Sequence, residues 1–370
     1  MRALLAAAVA IALVACGSGA DTSRLGPAAP AASQAASASA TQPINLDDMM
    51  GLYATQTVFV ADTEKISAIT LLNHFTRYVI PTNGKAQVAA DAYGAYTAPP
   101  PANAGGWLYV LDGIVDVPGP VRLRTFDIGG VERASRTDIG SVASTHRAMA
   151  VAVDGRVLVL KADAQHAWVD AYEPLTLKPQ GTLFEKNGCG DRLLASGSRI
   201  AIVCLATGQI AVDDLHGGGA FAVDGALPHL AGAAMADDGT IWVATSDRQL
   251  AAIPFGAVAL RQLEWPTAWA GTVLPDGVAV ANGADSVVFA QTDTDGTWLR
   301  VLASNVIAPR ISLRLAGRTE GAPQFGVVAL APFAYFATGA DVRHVELSTG
   351  MLETMTTVGQ GATVVAVVDR

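Results

Sequence analysis

The 370-residue chain carries six histidines, at positions 74, 146, 166, 216, 229 and 344, and three cysteines, at 16, 189 and 204. These residue types bind transition metals or serve as nucleophiles and bases near neutral pH. Their spacing supports neither use. No two histidines stand at a metal-ligand interval and no HExxH occurs, so no metal site and no resident cofactor are expected. Gly17-Ser18-Gly19 lies in a low-complexity stretch that cannot supply the strand–turn–helix of a nucleophile elbow. Gly217-Gly218-Gly219 lacks the Lys-Ser/Thr that follows a phosphate loop. Asp293-Thr294-Asp295-Gly296 hints at a calcium loop, but an EF-type loop would start at Gln291 and end at Leu302, neither of which fits, so a hairpin turn is expected. No catalytic residue is assigned.

The elements that would position any site are strands. Asp-Gly or Asn-Gly pairs recur at 83–84, 112–113, 154–155, 187–188, 224–225, 238–239, 276–277, 282–283 and 295–296. Both members tolerate positive φ, as two-residue hairpins require. Between them lie short β-branched runs. One six-residue pattern recurs seven times, beginning at positions 57, 107, 156, 199, 240, 277 and 333, at intervals of 37 to 56 residues. Thr57-Val58-Phe59-Val60-Ala61-Asp62, Trp107-Leu108-Tyr109-Val110-Leu111-Asp112 and Phe333-Ala334-Tyr335-Phe336-Ala337-Thr338 are three of the copies. A four-stranded propeller blade takes about 40–50 residues.

An apolar strand ending in a turn precedes most copies, as in Met149 to Val153 before Asp154-Gly155, and Gly271 to Leu274 before Asp276-Gly277. An alternating strand follows, as in Val342 to Leu347, and Ser348-Thr349-Gly350 turns the chain outward. This rhythm resembles the YVTN and NHL-type bacterial propellers over residues 55–370. The resemblance implies an all-β, seven-bladed β-propeller and no particular activity. Thr57 opens on a second-type strand and Thr363 to Val368 closes on a first-type one, so both termini are expected to complete one blade and hide its edges. The stretches 93–106 and 305–323 break the period and read as insertions, the second with an extra strand at Ile311 to Leu315. A two-domain sandwich explains the turns but not the repeats.

Propellers bind ligands at a mouth of the central channel, on loops that enter the innermost strands. Those loops offer His146, Arg147, Asp191, Arg192, His229, Trp269 and Gln324 as candidate binding residues. The structural alternatives are backbone hydrogen bonding for the histidines and a wedge between blades for Trp269. Trp107 and Trp242 fall on strands and read as packing residues.

The amino-terminal residues address the chain. Arg2 precedes an unbroken apolar run, Ala3 to Ala15. That run is too short for the ~30 Å bilayer core, which needs about 20 residues. Residues 1–15 therefore read as a signal peptide. Leu13-Val14-Ala15-Cys16 resembles the bacterial lipobox, which implies lipid attachment at Cys16 and cleavage before it. The resemblance makes the membrane a partner and places the chain in the cell envelope. Gly17 stands where Asp would retain a Gram-negative lipoprotein on the inner membrane, which favours the outer membrane facing the periplasm. Residues 16–48, rich in Ala, Ser, Gly, Pro, Gln and Thr, read as a disordered, flexible tether to a propeller over 49–370.

Export also permits disulfides. Cys189 and Cys204 flank a hairpin whose turn is near Ser196-Gly197. Counting outward opposes them, and opposed residues lie ~4.5–5.5 Å apart, within disulfide reach.

The net charge of −9 excludes a phosphate-tracking face, so nucleic acid is not an expected partner. What remains is a binding or scaffold propeller of the envelope, for a small-molecule ligand or an envelope protein. The alternative is a gluconolactonase-like hydrolase, a class that holds a divalent metal in the channel with Glu, Asn and Asp. Asp191 stands near an inner strand without a matching Glu or Asn. Quinoprotein dehydrogenases repeat a tryptophan docking motif that this chain lacks.

Overall fold

The computed structural model describes residues 56–90, 108–114, 119–127, 129–143, 147–215, 219–281, 285–317, 324–338, 340–358 and 361–369. The expected signal peptide, lipobox and tether and the 93–106 stretch lie outside them, as do Trp107 and His146. Seven four-stranded antiparallel sheets form the fold. Blades 1 to 7 have as innermost strands Thr363–Asp369, Gln87–Ala90, Met149–Val151, Arg192–Ser196, Leu230–Met235, Thr272–Ala281 and Gln324–Leu330. Blade 1 takes its inner strand from the carboxyl end and its other three from Gln56–Ala61, Lys65–Thr70 and Thr76–Pro81. Thr57 pairs with Val368, and this closes the ring as the repeat pattern requires.

The strand sequences explain their layers. Gln56–Ala61, Leu108–Asp112, Arg199–Val203 and Ile241–Thr245 are buried at every position. Each is the second strand of its blade, covered on both faces by neighbouring blades, and so reads as a continuous apolar run instead of an alternating one. Outer strands such as Thr76–Pro81 are mostly exposed. Seven apolar clusters fill the seven seams between blades. Towards the axis the strands crowd and small residues prevail, as in Leu230-Ala231-Gly232-Ala233-Ala234-Met235. A Cβ on Gly232 would stand 2.9 Å from Val278 Cγ2 of blade 6.

Several sequence expectations need correction. The sixth repeat copy, Gly277 to Asn282, lies on the innermost strand of blade 6; the second strand is Ser286–Thr292. Asp276-Gly277 is not a hairpin turn. It sits in an irregularity between Val273 and Val278 within one long strand, with Asp276 at φ 58°. Consequently Ala308–Gly317 is the ordinary fourth strand of that blade, and no extra strand exists at Ile311 to Leu315.

A further correction concerns register. Ser196 pairs with Arg199 and Arg192 with Val203, so the turn is Gly197-Ser198 and Cys204 is not level with Cys189. The disulfide Cys189–Cys204 forms all the same, with Cα atoms 5.4 Å apart. It ties the crossover leaving blade 3 to the end of the second strand of blade 4. The backbone passes close there: a Cβ on Gly190 would meet Ala167 Cβ at 2.6 Å and Ile202 Cγ2 at 2.7 Å.

Candidate functional site

The central channel holds a cavity of about 600 Å³, walled by the innermost strands. Charged groups among its described lining residues are Asp62, Lys85, Arg147 and Asp276. Lys85, Arg147 and Gly361 come from the segments that lead into inner strands, so the cavity reaches the mouth on that side.

Arg147 is built into the channel by its backbone. It precedes the inner strand of blade 3 with φ 53°. Its carbonyl accepts from the Leu193 amide of blade 4 at 2.8 Å. The next amide, of Ala148, donates to Gln87 Oε1 of blade 2 at 2.6 Å. Fixed between two blades, the side chain crosses the channel. Nη1 donates to the carbonyls of Ala233 at 3.4 Å and Val278 at 3.5 Å, and Nη2 to that of Val327 at 3.2 Å. These belong to blades 5, 6 and 7. No carboxylate is paired with this guanidinium in the described structure.

Arg192 starts the inner strand of blade 4 and is ion-paired with Asp276 from the blade 6 irregularity. Both are almost fully buried, at 3% and 7% exposure. Arg192 Nε and Nη1 have no hydrogen-bond partner. Burial pushes the Arg147 guanidinium down to about 10. Burial, with the nearby charge of Arg147, pushes Arg192 down to about 9 against the pull of Asp191. Both stay protonated at neutral pH. The charged groups that line the cavity therefore balance, but the half-buried Arg147 guanidinium has no carboxylate partner among the described residues. An isolated charge out of water costs several kcal/mol unless it is paired.

The other candidates lie elsewhere. Asp191 Oδ2 accepts from the Leu205 amide at 2.7 Å and braces the end of the blade 4 hairpin. His229 is exposed at φ 62°, its amide bonded to the Ala206 carbonyl at 3.1 Å. Trp269 is 2% exposed and packs with Trp265 and Phe289 in the seam between blades 5 and 6, which is the wedge role. Trp242 is buried in the same seam. Gln324 begins the inner strand of blade 7. Asp276 was missed by sequence reasoning because Asp-Gly signals a turn; the only contrary signal was the short interval to the sixth repeat copy.

Among its described lining residues the channel offers no set of Glu, Asn and Asp for a divalent metal. No Glu or Asn occurs among its described lining residues, and the Asp276 carboxylate is taken by Arg192. Asp293-Thr294-Asp295-Gly296 is a hairpin turn, with Asp293 Oδ1 accepting from the Asp295 and Gly296 amides at 2.8 and 3.1 Å.

No family model and no curated protein matches the chain by sequence. Solved structures do match by shape. Apo AztD from Citrobacter koseri is 12% identical, with a TM-score of 0.54 over 85% of this chain and 97% of that one. The periplasmic gluconolactonase PpgL of Pseudomonas aeruginosa is 14% identical, with a TM-score of 0.57 over 84% and 97%. U3-55K is 9% identical, with a TM-score of 0.51 over 75% and 83%. Proteins of such different names share the architecture, so the likeness carries the fold alone: the chain is an all-β, seven-bladed propeller.

Proposed function

We propose that this chain is a non-catalytic binding propeller of the cell envelope, held to a membrane by a lipid on Cys16, that takes a small anionic molecule in its central channel. The carrying observation is the Arg147 guanidinium, which stands in the channel without a carboxylate partner among the described residues. Arg147 is satisfied only by carbonyls, and Arg192 keeps two buried donors free beside its ion pair. A carboxylate or phosphate is the chemistry that matches guanidinium donors, because it accepts charge-assisted hydrogen bonds in pairs. The apolar residues among the channel walls lower the local dielectric and strengthen the attraction. The leader, the lipobox-like Leu13-Val14-Ala15-Cys16 and the polar segment after it support the address.

Calorimetric titration of the chain with sugar acids, small dicarboxylates and inorganic phosphate tests the binding half. Saturable binding of at least one, weakened at least tenfold in Arg147→Met, is expected; no binding by any of these anions would refute it. Fractionation tests the anchor. Cys16→Ser is expected to move the chain out of the membrane fraction, and an unchanged distribution contradicts lipid attachment.

A further inference from the structure

A second constellation lies away from the channel, at the seam between blades 7 and 1. His344 sits on the third strand of blade 7, Asp341–Glu346, directly opposite Glu353 on the outermost strand, Leu352–Thr357. His74 comes from blade 1, on the turn between Lys65–Thr70 and Thr76–Pro81. One ligand atom from each of the three lies within 4.8 Å of the other two. Sequence spacing could not show this, because the two histidines sit near opposite ends of the chain and meet only when the ring closes.

The His344 imidazole is unexplained by packing alone. It is 3% exposed, yet Nδ1 has no hydrogen-bond partner. Nε2 stands 3.6 Å from Glu353 Oε2, beyond hydrogen-bond range. A buried polar ring left in this state costs ~1–3 kcal/mol. Phe333 meets it edge-on at 4.9 Å between centroids, and Tyr335 lies at 6.0 Å, so its surroundings are apolar. His74 packs against it from the other blade at 6.2 Å. The turn that presents His74 is pinned: its amide donates to the Thr70 carbonyl at 3.0 Å, and the Phe75 amide donates to Asn73 Oδ1 at 3.2 Å. Burial above all, and also His74, lowers the His344 pKa against the opposing pull of Glu353.

We propose that His74, His344 and Glu353 form a binding site for a zinc-class transition metal ion that staples blade 7 to blade 1. Two imidazoles and one carboxylate are a donor set for Zn²⁺, with a fourth position left to water. Nitrogen donors disfavour Ca²⁺ and Mg²⁺, which take oxygen. Tetrahedral Zn²⁺ ligands lie about 3.3 Å apart at bond lengths near 2.0–2.1 Å. The donors, all within 4.8 Å of one another, therefore need to close by up to about 1.5 Å. The ion would clamp the seam where the two chain termini complete the ring.

The test is titration of the full chain with Co²⁺ as a spectroscopic probe. The Cys189–Cys204 disulfide is kept oxidised so that its sulfurs do not compete. The variants are His74→Asn, which tolerates the left-handed backbone at φ 58°, and Glu353→Gln; both spare the buried His344. One Co²⁺ per chain with four-coordinate ligand-field bands, displaced by Zn²⁺ and weakened at least tenfold in each variant, is expected. Zn²⁺ should also raise the Tm of the unaltered chain more than that of either variant. Absence of Co²⁺ binding, or binding equally tight in both variants, would overturn the site.

Discussion

Arg192 and Asp276 form an ion pair between the innermost strands of blades 4 and 6, passing over blade 5 to do so. The pair locks two sides of the ring across the channel and leaves Arg147 without a carboxylate partner among the described residues. Removing one buried partner costs ~3–5 kcal/mol, because the other charge is then stranded out of water. Asp276→Asn, which keeps a side chain that accepts φ 58°, should lower stability by an amount in that range. The double variant Arg192→Leu/Asp276→Asn should be less destabilised than the single. Urea unfolding midpoints check this, and a double variant weaker than Asp276→Asn would contradict it.

The channel charge also fixes a pH dependence. A cation attracts an anion only while protonated, so attraction is complete below the folded pKa of each arginine and declines above it. With Arg192 held down to about 9 and Arg147 to about 10, anion affinity should be flat around neutrality and weaken as pH rises past about 9. Titrations across that interval with a phosphate or carboxylate that changes no charge of its own measure it. Affinity that stays level to pH 11 would show that these groups do not carry the binding.

Near the axis, packing leaves no room for growth. The Cβ of Gly232→Ala would press on Val278 Cγ2 at 2.9 Å and on the Val278 amide nitrogen at 3.2 Å. Overpacking of this kind costs ~1–3 kcal/mol. A drop in Tm, with the far-ultraviolet circular dichroism of a β protein retained, is the expected result.

The disulfide closes a loop between residues 15 apart in sequence. Chain-entropy reasoning gives ~3 kcal/mol for a loop of that length. Replacing Cys189 and Cys204 together with serine should lower stability by up to that amount and leave the fold intact. An unchanged urea midpoint would show that the blade 3 to blade 4 crossover does not depend on the bond.

The ring was legible because each second strand must be apolar on both faces, and six of the seven repeat copies lie on such strands. The sixth did not, since Val278 to Ala281 has the same composition one strand further in. Local composition cannot distinguish an axial strand from its neighbour when both are buried. The Asp276 irregularity was hidden for a related reason: Asp-Gly accepts positive φ in a bulge as readily as in a hairpin. Arg147 and Arg192 were reachable from sequence because they enter inner strands. Trp269 shares that kind of position and points into a seam, so loop position alone does not give side-chain direction. His74 and His344 could be joined only by the closed ring.

The channel account is tested most directly by a crystal structure of the chain grown with an anion selected by titration. The account predicts the anion in the cavity, its oxygens within hydrogen-bond distance of the Arg147 guanidinium that lines it, with the nearby Arg192 adding its charge. An anion bound elsewhere, with both guanidiniums unchanged in their contacts, would contradict it.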